Sequence, residues 1–485
     1  MAETIDTFAT ATEMLAALSN GQISAAELAE LHIARIERLD PVLNAIPIRC
    51  FEAARARAAA ADRSRAAGET GALLGLPLTI KDCIDVAGLL GTAGVPDFAE
   101  RVPDLDAPVS ARALQAGAVL LGKTNVPPMA GDWQADNPIF GRTNNPWDLN
   151  RTPGGSTGGG AAALAAGLTP LEFGSDIGGS IRVPAAFCGV FGHRPSETAL
   201  PRSGHFPGTP LPNAGAVMGV LGPLARSAED LELAFDVVAG PELGEDVAWR
   251  LEIGPARADT LAGFRVAVLP WPAWLPLDAE IAAGQARLAE QLRALGATVG
   301  TAQPDAFGDG RAHFALYLSL LGAMTSPGLG PEERAAMAAG YRSWGDEFGA
   351  AMAAGLDGNP SDYIIWHAQR EVYRHSYRAF FRDWDILLAP ITLVPPFEHT
   401  QVPMDERTLT IDGVTVPYLF QVAPPGFATL AGQPATAFPI RLNHAGLPLG
   451  LQAIGPYLED RTPLRFAQLV AREFGGFQRP PAFAE

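Results

Sequence analysis

The sequence predicts an α/β protein in which a central mixed β-sheet, largely buried, is covered by helices on both faces. From about residue 72 to 270, short apolar runs such as LPLTI (76 to 80), AVLLG (118 to 122) and LEFGS (171 to 175) are interrupted by glycine and proline. Runs without polar alternation read as strands buried on both faces. Their interleaving with helical segments reads as a layered sheet. At 485 residues and 48% hydrophobic side chains, the chain can bury a large core and exceeds the usual single-core size.

Taken in order, residues 8 to 18 and 24 to 40 are predicted helices. Ser24 caps the second, Glu27 completes a capping box, and Leu28, Leu31, Ile33 and Ile36 give it one apolar face. An Ala/Arg-rich helix follows at about 50 to 67. Between the strands named above, the Ala-rich stretch 158 to 167 suits a helix, and Pro170 opens the strand that follows it. Residues 226 to 240 form a further helix and FRVAVL (264 to 269) a further strand. The next part changes character: 278 to 295 is amphipathic, and 331 to 355 and 360 to 382 are helical and carry Trp344, Phe348, Tyr363, Trp366, Tyr373, Tyr377 and Phe380. Strands return with DILLAP (385 to 390), QPATAFPI (433 to 440) and GLPLGLQAIG (446 to 455), before a closing helix at about 461 to 474. This predicts one domain over 1–485, with a core at about 72–270 and a helix-rich, variable cap at about 278–420 inserted before the last core strands.

A formal net charge of −18 repels polyanions, so nucleic acid is an unsuitable partner. No basic and apolar leader opens the sequence and no stretch is apolar enough to span a bilayer, so a cytoplasmic protein without a membrane partner is expected. Three scattered cysteines, Cys50, Cys83 and Cys188, form neither a disulfide framework nor a zinc pattern.

Chemistry concentrates in residues 152 to 195, where Ser156 and Ser180 sit among glycines that clear side chains from their hydroxyls. Gly117 to Thr124 reads GAVLLGKT, a literal phosphate-loop pattern, but its middle looks like the strand itself and argues against nucleotide binding. GGSTG around Ser156 is a literal G-x-S-x-G, yet turn-formers precede it and no histidine stands in a comparable setting; His193 lies in a Gly-His-Arg-Pro turn. Of 35 basic residues only two are lysines, Lys81 and Lys123. Lysine can lose its proton when buried and arginine cannot. Lys81 ends the apolar run LPLTI, where desolvation would make it a neutral base; Asp82 or Asp85 offers it a structural ion pair instead. The turn SDIGGSIR, following a strand, can aim backbone N–H groups at an oxyanion.

These stretches, LTIKDCIDVAG, GGSTGGGAAALAAG and GSDIGGSIRVPAAFCG, resemble the amidase signature family, and the likeness continues through GKTNVPPMA, GPLARSAEDLELAFDVVAG, AGQPATAFPI and GLPLGLQAIGP. The resemblance implies the amidase-signature fold and hydrolysis of a carboxylic amide. It implies Ser180 as acyl-forming nucleophile, Ser156 as a bridging serine held by a cis peptide, and Lys81 as base. The N–H groups of Ile177, Gly178, Gly179 and Ser180 would form the oxyanion hole, with Asp176 and Arg182 bracing the loop and Thr157 stabilising the site by hydrogen bonding. Thr157, Pro128 and GHRPS (192 to 196) depart from the family pattern without touching the three central residues. Such a relay needs no metal or organic cofactor. The partner expected is a small-molecule amide, neutral and aryl or alkyl, with carbamate (urethanase) or ester side reactions, in a monomer or homodimer. Met129, Trp133 and Phe140 either line an apolar pocket for it or belong to the core. A glutaminase-type amidotransferase subunit with partner chains, or a binding protein on the same fold, are the alternatives.

Overall fold

The computed structural model describes residues 5 to 207 and 217 to 485; the first four residues of the N-terminal stretch lie outside it. Along the chain the strands are β1 (Ile48–Arg49), β2 (Pro77–Lys81), β3 (Val119–Thr124), β4 (Asp136–Asn137), β5 (Gly141–Arg142), β6 (Leu171–Asp176), β7 (Phe191–Arg194) and β8 (Val220–Ala225). They continue with β9 (Arg265–Val268), β10 (Thr298–Thr301), β11 (Ile386–Pro390), β12 (Thr408–Ile411), β13 (Val414–Pro417), β14 (Ala435–Leu442) and β15 (Pro448–Ile454). Eleven of them form one sheet in the order β1-β3-β2-β6-β8-β7-β14-β15-β11-β9-β10, while β4 pairs β5 and β12 pairs β13. The sheet is mixed: β3, β2 and β6 run parallel, β8, β7, β14 and β15 pair antiparallel, and β11, β9 and β10 run parallel.

The two faces of the sheet seed two cores. On β11, Ile386 and Leu388 enter one apolar cluster and Leu387 and Ala389 the other, the period-2 alternation of a strand buried on both sides. Helices flank the sheet. The capping box expected at Ser24 is present, with Ser24 Oγ accepting from the Glu27 N–H at the start of Ala25–Leu43. The closing helix Arg461–Phe474 packs on β14 and β15.

Three expectations change. The helix Ala279–Ala294, read with the cap, packs instead against β10, β11, β14 and β15. Residues 331 to 355 hold two helices, Pro331–Arg342 and Glu347–Asp357, because Asp346 caps a second start through the Phe348 and Gly349 N–H groups. His193 lies in β7, not in a turn. Its ring bonds Thr436 Oγ1 at 2.9 Å and Asp460 Oδ1 at 3.1 Å, and these distant partners make a buried polar strand tolerable.

Candidate active site

Lys81 is the last residue of β2 and is fully buried. Leu78 and Ile80 enter the first core, so strand alternation turns Thr79 and Lys81 to the other face. There Lys81 Nζ donates to Ser156 Oγ at 2.6 Å and to Ser175 Oγ at 3.0 Å. Neither aspartate takes it: Asp82 accepts from Thr92, and Asp85 pairs with Arg101 at 2.7 Å. Burial drives the ammonium below its ordinary range, against weaker opposing fields from Cys83, Asp176 and Glu172. Lys123 lies within β3, which excludes a phosphate loop there, and donates to the Leu90 carbonyl at 2.7 Å.

Ser156 follows a cis Gly155–Ser156 peptide and precedes the helix Gly158–Ala165. The helix presses on the sheet through its glycines. A Cβ at Gly160 would come within 2.5 Å of Glu172 Cγ, so only glycine permits that approach. Thr157 is buried, and its N–H donates to the Ser180 carbonyl at 3.1 Å, tying the two serine turns together. Its hydroxyl has no partner among the described residues, so the hydrogen bonding expected of Thr157 is carried by its backbone.

Ser180 stands in the turn between β6 and the helix Arg182–Cys188. Gly179 has φ +92°, a conformation L side chains rarely adopt, and a Cβ there would strike Pro425 at 2.6 Å. Asp176 and Arg182 brace this turn, both buried and paired at 2.8 and 3.0 Å. The remaining Arg182 donors reach Pro425 O, Gln452 Oε1 and Thr429 Oγ1. Burial alone would raise the Asp176 carboxyl, but the Arg182 charge and hydrogen bonds overcome it and hold it at about 2. Asp176 Oδ1 also accepts the Gly179 N–H at 3.1 Å. This corrects the four-donor oxyanion nest: Ile177, Gly178 and Ser180 keep N–H groups that bond no described residue, and Gly179 does not. Their carbonyls are pinned from outside, Ile177 O by Tyr317 Oη at 2.7 Å and Gly178 O by Trp133 Nε1 at 3.0 Å.

Ser156, Ser175, Asp176, Ile177 and Ser180 line one cavity of about 240 Å³, together with Met129, Arg202 and His205. A second, of about 190 Å³, shares Ile177 and Ser180 and is walled by Trp133, Tyr341, Met352, Leu419 and Val422. Met129 and Trp133 thus flank the serines, but Phe140 lies outside both cavities; its carbonyl accepts from Asn44 at 2.6 Å. A roomier cavity of about 570 Å³ near Phe397 and Thr410 contains neither serine. Sequence reading missed Ser175, although it stands in the same SDIGGS run. It also missed Glu172, whose burial pushes the carboxyl up to about 7 while Thr124 Oγ1 donates to it at 2.7 Å. Arg202 and His205 carried no sequence signal at all.

The chain is 33% identical over 477 residues to a glutamyl-tRNA(Gln) amidotransferase subunit from Synechococcus sp. (strain CC9902), with 93% of each chain covered. Among solved structures it is similar to a 6-aminohexanoate cyclic dimer hydrolase complexed with substrate, with TM-score 0.80, 26% identity and 99% and 100% of the two chains covered. It is also similar to a bacterial aryl acylamidase of the amidase signature enzymes, with TM-score 0.79, 25% identity and 96% of each chain covered. Fold and site together define an amide-hydrolysing enzyme. The family model described as Amidase matches residues 27–464, and the chain belongs to the Amidase family. Among the described residues no helix is long and apolar enough to cross a membrane.

Proposed function

We propose that this chain hydrolyses a small-molecule carboxylic amide through a Ser180 acyl-enzyme, with Ser156 as proton relay and Lys81 as base. The observation that carries the reading is the 2.6 Å hydrogen bond from a solvent-free lysine to Ser156 in the cavity that Ser180 lines. An amine kept from water loses its proton at far lower pH than a free lysine, and once neutral it can accept one. Ser180 gives its proton to Ser156 as Ser156 gives its own to Lys81, and Ser180 Oγ bonds the amide carbon. The carbonyl electron pair moves onto oxygen, which the Ile177, Gly178 and Ser180 N–H groups receive. Its return breaks the C–N bond, the amine leaves with the proton passed back through Ser156, and water then releases the acid by the same relay. The Ser180-to-Ser156 transfer requires the two hydroxyls to close to hydrogen-bond distance, a tightening that substrate commonly brings to unliganded sites. Ester and carbamate carbonyls fit the same chemistry. Covalent labelling by a fluorophosphonate, located by peptide mass spectrometry, tests it; modification of any serine other than Ser180, or of none, would sink the assignment.

The pH profile supplies a second test. Only neutral Lys81 is active, so kcat/KM rises with pH through a midpoint below the ordinary lysine value of 10.5. Above about pH 7 the Glu172 carboxylate is charged and favours the ammonium form of Lys81. Glu172→Gln removes that anion and is expected to move the rising limb to lower pH. A limb that stays in place or moves upward would assign it to another group.

A second reading, an amidotransferase component working with partner chains, is favoured by the similarity to the Synechococcus protein. Glutamine hydrolysis that depends on co-purifying subunits would favour it; turnover of simple amides by the isolated chain would favour a stand-alone hydrolase.

A further inference from the structure

Arg202 and His205 belong to one short turn on the wall of the serine cavity. The turn is fastened on both sides: Ser203 Oγ donates to Glu242 at 2.8 Å, and the Phe206 N–H donates to the Cys83 carbonyl at 2.8 Å. Yet Nε and Nη1 of Arg202, and both ring nitrogens of His205, are closed to solvent and have no hydrogen-bond partner among the described residues. Four such nitrogens on one wall are costly unless something meets them.

Nothing described in the protein neutralises that wall. Asp176 lines the cavity, but its oxygens are taken by Arg182, Gly179 and Ile181. Glu197, whose field reaches Arg202, is held by Arg370, by Arg374 at 3.2 Å and by the Met218 N–H at 2.8 Å. Gly219 leaves the guanidinium its space, since a Cβ there would lie 2.9 Å from Nη2. A carboxylate suits such a site, because a guanidinium binds it with paired charge-assisted hydrogen bonds and a neutral imidazole can add one more. The second cavity, which also reaches Ser180, offers Met352, Leu419, Val422 and Trp133.

We propose that the amide cleaved here carries an anionic group of the carboxylate class, bound by Arg202 and His205, on one side of the scissile bond and an apolar group on the other. This revises the neutral substrate expected from sequence and rests on the acyl-enzyme reading. The test compares three anilides: N-phenylsuccinamate, with the carboxylate on the acyl side; 4-butyramidobenzoate, with it on the amine side; and neutral butyranilide. One of the two anions should exceed butyranilide in kcat/KM by about 10- to 100-fold, the range of a charged hydrogen-bonded pair. Arg202→Gln should collapse that ratio through KM, and Arg202→Lys should restore part of it. Fluorophosphonate labelling of Ser180 reports that each variant is folded. Butyranilide turned over as well as both anions by the native enzyme, or a labelled R202Q with an unchanged ratio, would overturn the anionic subsite and leave the acyl-enzyme standing. A native enzyme whose Ser180 neither labels nor turns over any of the three would overturn the acyl-enzyme reading, and this inference with it.

Discussion

Ser180→Ala is expected to lower kcat for a simple anilide by roughly 10⁴- to 10⁶-fold, the loss seen when a nucleophile is removed from a relay that acts as a unit. Ser180 is small, and its backbone rather than its hydroxyl ties the turn to Thr157, so the fold should survive. Lys81→Ala is expected to cost about 10²- to 10⁴-fold as a lost base. It also strips the Ser156 and Ser175 hydroxyls of their shared donor. The double variant should be hardly worse than Ser180→Ala alone, because without the nucleophile the base has nothing to activate. Steady-state kinetics with circular dichroism as the folding control decide the matter. Near-normal turnover by either single variant would contradict the proposed roles.

Asp176→Asn should carry the second large effect, on stability. The carboxylate and Arg182 are both fully buried, and the acceptors of the arginine's N–H groups converge on it from Asp176 at the end of β6, from β15 and from the Ala423–Thr429 helix. Removing one partner leaves an uncompensated buried charge, which typically costs about 3–5 kcal/mol. Denaturant titration should show the midpoint falling accordingly, whereas an unchanged midpoint would mean that the pair is not what braces the turn. The same pair sets an acid limit. Asp176 is held at about 2, below its ordinary 3.8, so its contribution is complete above 3.8 and is lost as pH falls from there toward 2. In Asp176→Asn that part of the acid sensitivity should disappear.

Much of the site is legible in the sequence because its chemistry is local. The lysine ending LPLTI, the serine in GGSTG and the serine in SDIGGS each carry their own glycine or strand context. The α/β layering is legible in the same way, from apolar runs that need no partner to be recognised. What escapes reading depends on partners far along the chain. His193 reads as part of a turn because Gly-His-Arg-Pro carries a glycine and a proline around polar residues, and it lies in β7 with Thr436 and Asp460 meeting its ring. Glu172 looks like a polar interruption of a strand until Thr124 from β3 is seen to donate to it. Phe140 looks like a pocket residue on aromaticity alone, and its place by Asn44 is a matter of chain path.

The sequence by itself therefore determined the class of fold and three residues of the catalytic proposal, since strand periodicity, glycine turns and a rare lysine are properties of contiguous stretches. Only the tertiary structure decided which N–H groups remain for an oxyanion, because Asp176 takes that of Gly179. It alone decided which side chains line the serine cavity. Arg202 and His205 come to the cavity wall through long-range contacts of their turn with Cys83, Ile84 and Glu242, with no pattern in any of these stretches to announce it. Residue type supplies the donors, but burial and the absence of a described partner are what single those two side chains out for the proposed subsite, and both are properties of the packed chain.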